Sequence, residues 1–111
     1  MYTYEVKEIV KIIDGDTVDA IIDLGFKVSI KVRIRFLGIN TPETRTRDLA
    51  EKKLGLIAKE KVKQMMYAAK KIKVESKGLG KYGRVLGILH LDDAEESLND
   101  FLLNNGYAEK M

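Results

Sequence analysis

Between residues 28 and 36 the chain alternates strictly: Val28, Ile30, Val32, Ile34 and Phe36 are separated by Ser29, Lys31, Arg33 and Arg35. Successive side chains of a strand point to opposite faces, so this two-residue period commits the segment to a strand with one apolar and one basic face. The preceding chain continues the theme. Tyr4 to Ile13 is rich in Val, Ile and Tyr and stops at Asp14-Gly15-Asp16-Thr17, a strong turn signature. Val18 to Leu24 is a second β-branched run, joined to the alternating strand through Gly25-Phe26.

Gly38 to Asp48 breaks the pattern with the sole proline, Pro42, and with Asn, Thr and Arg residues, which predicts an exposed loop. The period then changes. Leu54, Ala58, Val62, Met65, Met66 and Ala69 recur three and four residues apart, predicting one face of an amphipathic helix whose other side carries Lys59, Lys61, Lys63 and Lys70. Lys71 to Glu75 and Arg84 to Leu91 read as fourth and fifth strands around a glycine-rich connection, Lys77 to Lys81. After Asp92-Asp93, the residues Leu98, Phe101 and Leu102 predict a short helix stopped at Asn105-Gly106. His90 reads as a strand residue near the surface. A mainly β chain with helices (α+β), its five short strands interrupted by a helix between the third and fourth, fits the small Greek-key barrel known as the OB-fold. Fold alone does not give function.

The chain has 111 residues, which suits one domain spanning 1–111 and leaves no room for a second catalytic lobe. Its 20 Lys+Arg against 17 Asp+Glu give a net charge of +3, too mild to identify a nucleic-acid binder without the arrangement of those charges. The absence of cysteine excludes disulfides, thiol nucleophiles and Cys-ligated metal centres. Met1 to Lys11 lacks the apolar run of a secretion signal, and no segment reaches the roughly 20 apolar residues of a membrane span. The expectation is a monomer without membrane attachment, cytoplasmic if the chain is complete and secreted if a signal has been removed.

Three clusters carry the chemistry: Asp14-Gly15-Asp16-Thr17, Arg35 with Asn40-Thr41-Pro42-Glu43, and Lys81-Tyr82-Gly83-Arg84. Singly, the first is a hairpin turn, the second a loop with a solvated carboxylate and the third a charged loop end. Together, in this order and spacing, they resemble the signature of the staphylococcal nuclease family. That pattern combines an Asp-Gly-Asp-Thr turn, an arginine on the following strand, an Asp-Thr-Pro-Glu loop and a Lys-Tyr-Gly-Arg stretch. The resemblance extends through Lys70-Lys71-Ile72-Lys73-Val74-Glu75 to Asn105-Gly106-Tyr107-Ala108.

The resemblance implies a calcium-assisted nuclease acting on single-stranded DNA and/or RNA. It would cut the 5′ phosphorus–oxygen bond and leave a 3′-phosphate. Asp16 would give a carboxylate to Ca2+, Asn40 a side-chain oxygen and Thr41 a backbone carbonyl, since calcium takes several oxygen ligands. Glu43 would hold or deprotonate the attacking water, while Arg35 and Arg84 fork onto the phosphate. Lys81 and Tyr82 would contact the nucleotide.

Two departures stand out. Asn40 replaces the family's usual aspartate and so removes a negative charge from the cation site, weakening calcium binding. The tyrosines and last helix that the familiar enzyme carries beyond this point are missing, which lowers base stacking unless Tyr107 or Tyr82 substitutes. An OB-fold nucleic-acid-binding module with weakened catalysis is therefore the alternative reading.

Overall fold

The computed structural model of the chain describes residues 2–80 and 83–111. Strands β1 (Tyr2–Asp14), β2 (Thr17–Gly25) and β3 (Val28–Phe36) form an antiparallel meander. After the short strand β4 (Ile39–Asn40), helix α1 (Leu49–Ala68) crosses to β5 (Ile72–Leu79), which pairs antiparallel with β6 (Val85–Leu91). Two ladders close the ring in the order β1-β2-β3-β6-β5. β5 pairs with β1 antiparallel from Tyr2–Ser76 to Glu5–Lys73, and β3 meets β6 in a parallel seam of three residue pairs, Ile34–Val85 to Phe36–Gly87. Helix α2 (Leu98–Asn104) and β7 (Glu109–Lys110) complete the described elements. This is the expected mainly β barrel with helices, consistent with an OB-fold.

Three register shifts along β1, between Val6 and Glu8, Ile9 and Lys11, and Ile12 and Asp14, let its 13 residues curve. Such bulges sharpen the right-handed twist, which is what allows one strand to serve both β2 and β5 and the sheet to close. The interior is filled by the inward positions the alternation marked. Val18, Ala20, Ile34, Phe36, Val74 and Leu89 are all buried, and Val62 and Met66 of α1 and Leu98 and Leu102 of α2 plug the barrel. Each large side chain taken from water stabilises the fold by about 2 kcal/mol before entropy is counted.

Helix α1 starts at Asp48, whose Oδ1 accepts from the amides of Ala50 and Glu51 at 3.0 and 3.2 Å, satisfying donors that the first turn leaves open. Ser97 does the same for α2 through the Asp100 amide. Asp92, at φ +51°, accepts from the amides of Lys70 and Lys71 at 2.9 Å each, fastening the end of α1 to the β6 turn.

Four sequence expectations need correction. The segment from Gly38 to Asp48 is not exposed throughout: Ile39 and Thr41 are buried, and Ile39–Asn40 forms β4, paired with Lys110 and Glu109. Leu54 is 56% exposed rather than on the buried face; the inward stripe of α1 is Gly55, Ala58, Val62 and Met66, and Leu54 lies one position, about 100°, off it. The fourth barrel strand continues beyond Glu75 to Leu79, because its ladder to β6 resumes after a register shift between Ser76 and Leu79. Finally, the apolar face of β3 is covered only towards Ile34 and Phe36; Val28 and Ile30 are 49% and 43% exposed.

Candidate functional site

Both loops that carry the acidic motif residues rest on the same patch of α1. A Cβ at Gly15 would lie 2.9 Å from Ala58 Cβ and 3.0 Å from Thr41 Cγ2. A Cβ at Gly55 would lie 2.7 Å from the carbonyl oxygens of both Pro42 and Glu43. These are closer than real Cβ contacts, so two missing side chains let the β1–β2 turn and the Thr41–Glu43 loop settle side by side on the helix. Thr44 Oγ1 then donates to Asp14 Oδ1 at 2.5 Å, tying the loop to the turn.

Asp16 is buried within this junction. Its Oδ1 accepts from Thr17 Oγ1 at 2.8 Å and its Oδ2 from the Thr41 amide at 2.9 Å, while its own carbonyl accepts from the Phe36 amide at 2.8 Å. Arg35 reaches the same place from β3, where it pairs with Thr17 across the ladder. Its Nη1 donates to the carbonyls of Phe36 and Ile39, both at 3.0 Å, and its Nη2 lies 3.3 Å from Asn40 Oδ1 and 3.5 Å from Asp16 Oδ2. A planar guanidinium held through one nitrogen by two fixed carbonyls has its orientation set by backbone. Lysine could not reproduce that hold.

A cleft of about 630 Å³ opens over these groups, and its walls include Asp16, Arg35, Asn40, Thr41, Glu43 and Arg84. The six catalytic and metal-site residues singled out in the sequence, spread over positions 16 to 84, thus meet in one depression. Glu43 is exposed and has no hydrogen bond or ion pair with the described residues, so its carboxylate faces solvent at the mouth. Arg84 enters immediately before β6, next to the strand pair that carries Arg35. Lys81 and Tyr82, the sequence-predicted nucleotide contacts, lie outside the described residues. Arg45 and Arg47 are exposed on the loop beyond Glu43 and do not line the cleft.

The sequence reading passed over several contributors. Asp14 and Thr17 line the cleft with Asp16. Asp14 is the first residue of the turn signature, so its Thr44 partner was the part that no local pattern could show. Gly15 and Gly55 matter through what they lack. His90 faces Glu75 Oε1 at 3.2 Å across the β5–β6 pair and is absent from the cleft walls, as a surface strand residue should be.

Among the described residues there is no group of three or more Asp, Glu, His or Cys side chains placed to hold a metal ion. The sequence-predicted ligands offer one carboxylate from Asp16, one amide from Asn40 and the loop backbone, in a cleft that Asp14 and Glu43 also line, and the buried Thr41 Oγ1 has no hydrogen-bond partner among the described residues. An all-oxygen set of this kind fits a hard cation such as Ca2+, and its single formal negative charge makes it a weak holder. No helix among the described residues is long and apolar enough to cross a membrane.

A comparison with curated proteins found no match. The family model for staphylococcal nuclease homologues matches residues 33–111, a span that takes in Arg35, Asn40, Thr41, Glu43 and Arg84 and leaves the Asp16 turn to be judged on geometry alone. With that match over most of its length, on a closed five-stranded barrel, the chain belongs to the staphylococcal nuclease family.

Proposed function

We propose that the protein is a nuclease that hydrolyses phosphodiester bonds of DNA and/or RNA at the 5′ phosphorus–oxygen bond, assisted by Ca2+, leaving 3′-phosphates. Family membership supports the coarser statement, a nuclease-like or nucleic-acid-binding function. The finer one rests chiefly on a single observation: two arginines, a solvent-facing glutamate, a buried aspartate and an exposed asparagine share one cleft.

Arg35 and Arg84 bind the phosphate as planar donors and absorb the charge that builds on its oxygens as phosphorus becomes five-coordinate. Glu43 orients a water and takes its proton as the new oxygen–phosphorus bond forms. The bond to the 5′ oxygen breaks, and that oxygen leaves as a hydroxyl with a proton from solvent. Asp16, Asn40 and the Thr41 carbonyl would hold the cation. When bound, it supplies Lewis-acid polarisation of a nonbridging phosphate oxygen.

Asn40 favours a second reading, a nucleic-acid-binding module with little turnover, because an amide brings no charge to the cation. Incubating the protein with single-stranded DNA and with RNA, in calcium or in chelator, separates the two. Calcium-dependent cleavage supports the enzyme; binding without cleavage at any calcium concentration supports the module. Glu43→Gln sharpens the test. Turnover should fall by on the order of 10²-fold or more, the scale for losing a general base, while oligonucleotide affinity holds or rises. Parental cleavage in that variant would remove Glu43 from the mechanism.

A further inference from the structure

Helix α1 turns an apolar face to solvent. Leu49, Leu56 and Ile57 are 79%, 48% and 47% exposed, and with Tyr107, which follows α2, they line a shallow groove of about 590 Å³. The helical positions along it run from 49 to 64 at spacings of three and four, on the side of α1 opposite the buried Gly55, Ala58, Val62 and Met66. At 1.5 Å per residue the groove is about 23 Å long. Among the described residues only Tyr107 borders it from outside α1. A contiguous apolar face rimmed by charge marks an interaction surface.

The rim says what fits. Lys52, Lys53 and Lys61 line the groove against one acid, Glu60, and none of the four is in an ion pair with a described residue. A second copy of this face would set lysine against lysine. The acid-rich run Asp92-Asp93-Ala94-Glu95-Glu96 of a second copy is exposed but offers no large apolar side chain for the groove floor. A nucleic-acid strand leaving the cleft is turned away as well. Between cleft and groove lies a depression of about 960 Å³ whose walls include Glu43, Asp48, Glu51 and Glu109 and no described lysine or arginine. It shares Asn40, Thr41 and Glu43 with the cleft and Ile57 and Tyr107 with the groove, so phosphates crossing it would meet four carboxylates in turn.

We propose that the outer face of α1 docks an acidic amphipathic helix of another polypeptide. The apolar side chains of that helix lie on Leu49, Leu56, Ile57 and Tyr107, and its Asp and Glu flanks pair with Lys52, Lys53 and Lys61. Side chains three and four apart on α1 form rows that the ridges of a second helix fill, which favours a helix over an extended segment. Apolar anchors give such a contact its affinity, and the charged flanks select the partner. The groove shares no lining residue with the cleft, so its occupancy does not depend on whether the cleft cleaves, binds or does neither.

The test uses a synthetic helix of about 16 residues, long enough to span the groove, with leucines three and four apart and glutamates flanking them. Its control has every glutamate replaced by lysine. In an amide NMR titration of the full chain, the acidic peptide should shift peaks of residues 49–64 and Tyr107, binding at least about tenfold more tightly than the control. Lys52→Glu combined with Lys53→Glu should reverse that preference. Acids near a helix N-terminus are favourable, so this variant keeps its fold, which thermal unfolding checks. Leu56→Ala, at an exposed position, should weaken the acidic peptide by about fivefold or more. No shift at millimolar peptide overturns the proposal, as do equal binding of the two peptides and shifts that fall elsewhere. A single-stranded oligonucleotide or phosphatidylserine vesicles moving the groove peaks while the acidic peptide does not would overturn it in favour of a nucleic-acid or membrane surface.

Discussion

At residue 40 an amide stands where the family pattern carries a carboxylate, and the neighbouring Arg35 Nη2 lies 3.3 Å from its oxygen and 3.5 Å from Asp16. With Asn40 neutral, Asp16 is the one charged group among the three proposed ligands, and it lies beside the Arg35 guanidinium, which weakens its pull on a divalent cation. Asn40→Asp should lower the calcium concentration for half-maximal cleavage by on the order of tenfold, about 1.4 kcal/mol. Calcium titration of the cleavage rate reads it directly; an unchanged midpoint means position 40 is no ligand. On the outer face of the sheet, Asp19 and Arg33 form a two-point ion pair at 2.8 and 3.1 Å. The hydrogen bond from Arg33 holds the Asp19 carboxyl below its ordinary value, outweighing partial burial, and Arg33 is raised in turn by the same bond. A carboxyl depressed on folding stabilises the fold above its unfolded pKa and loses that contribution as pH falls through the folded value. Asp19→Asn should therefore cost stability at neutral pH and nothing well below pH ~3, with a small effect because Arg33 is half exposed. Urea unfolding at both pH values checks the sign.

At the scale of elements, helix α1 has a glycine in its second turn. By intrinsic propensity Gly55→Ala should stabilise the helix by about 1 kcal/mol. The Pro42 and Glu43 carbonyls, each 2.7 Å from the added Cβ, oppose it. We expect the propensity gain to be cancelled, leaving Tm unchanged or lowered. Turnover should fall severalfold as the Glu43 loop is pushed off the helix; a variant that is both more stable and fully active would show that the loop position is not set here. The same helix shows where the sequence was legible. Ala58, Val62 and Met66 repeat at helical spacing, and that repeat is the burial itself. Gly55 carries no apolar signal although the loop backbone lies directly against it, and Leu54 carries a strong one although it faces out. The barrel strands were legible because alternation records which face is covered. β4 and β7 were not, since two residues have no period and their pairing spans some 70 positions. The site was legible as a set of residue types in order; its geometry, from the Asp14–Thr44 link to the carbonyl hold on Arg35, depends on contacts between distant segments.

For the molecule as a whole, the seam between β3 and β6 is short, and a buried side chain fastens it. Asn99 on α2 accepts from the Leu89 amide at 3.0 Å and donates to the carbonyls of Leu37 and Gly87 at 2.9 and 3.1 Å. It joins both sides of the closure while 3% exposed. Asn99→Ala takes the side-chain partner from the Leu89 amide and the Leu37 carbonyl, while the Gly87 carbonyl keeps the Leu37 amide, so a loss of about 2 kcal/mol or more is expected, visible as a fall in urea midpoint. A change under about 1 kcal/mol would mean that water replaces the amide. That seam has a further consequence. Arg35 sits inside it and Arg84 at its entrance, so the half of the cleft that carries the two arginines comes into being only when residues 34–36 find residues 85–87. Contacts between chain segments so far apart carry a large loop-closure cost and tend to form late. An oligonucleotide spanning the two arginines would act as a clamp across the closure. At a hundredfold excess over its dissociation constant it would add about 2.7 kcal/mol to the folded state, so substrate should slow the opening of the barrel as well as occupy its cleft.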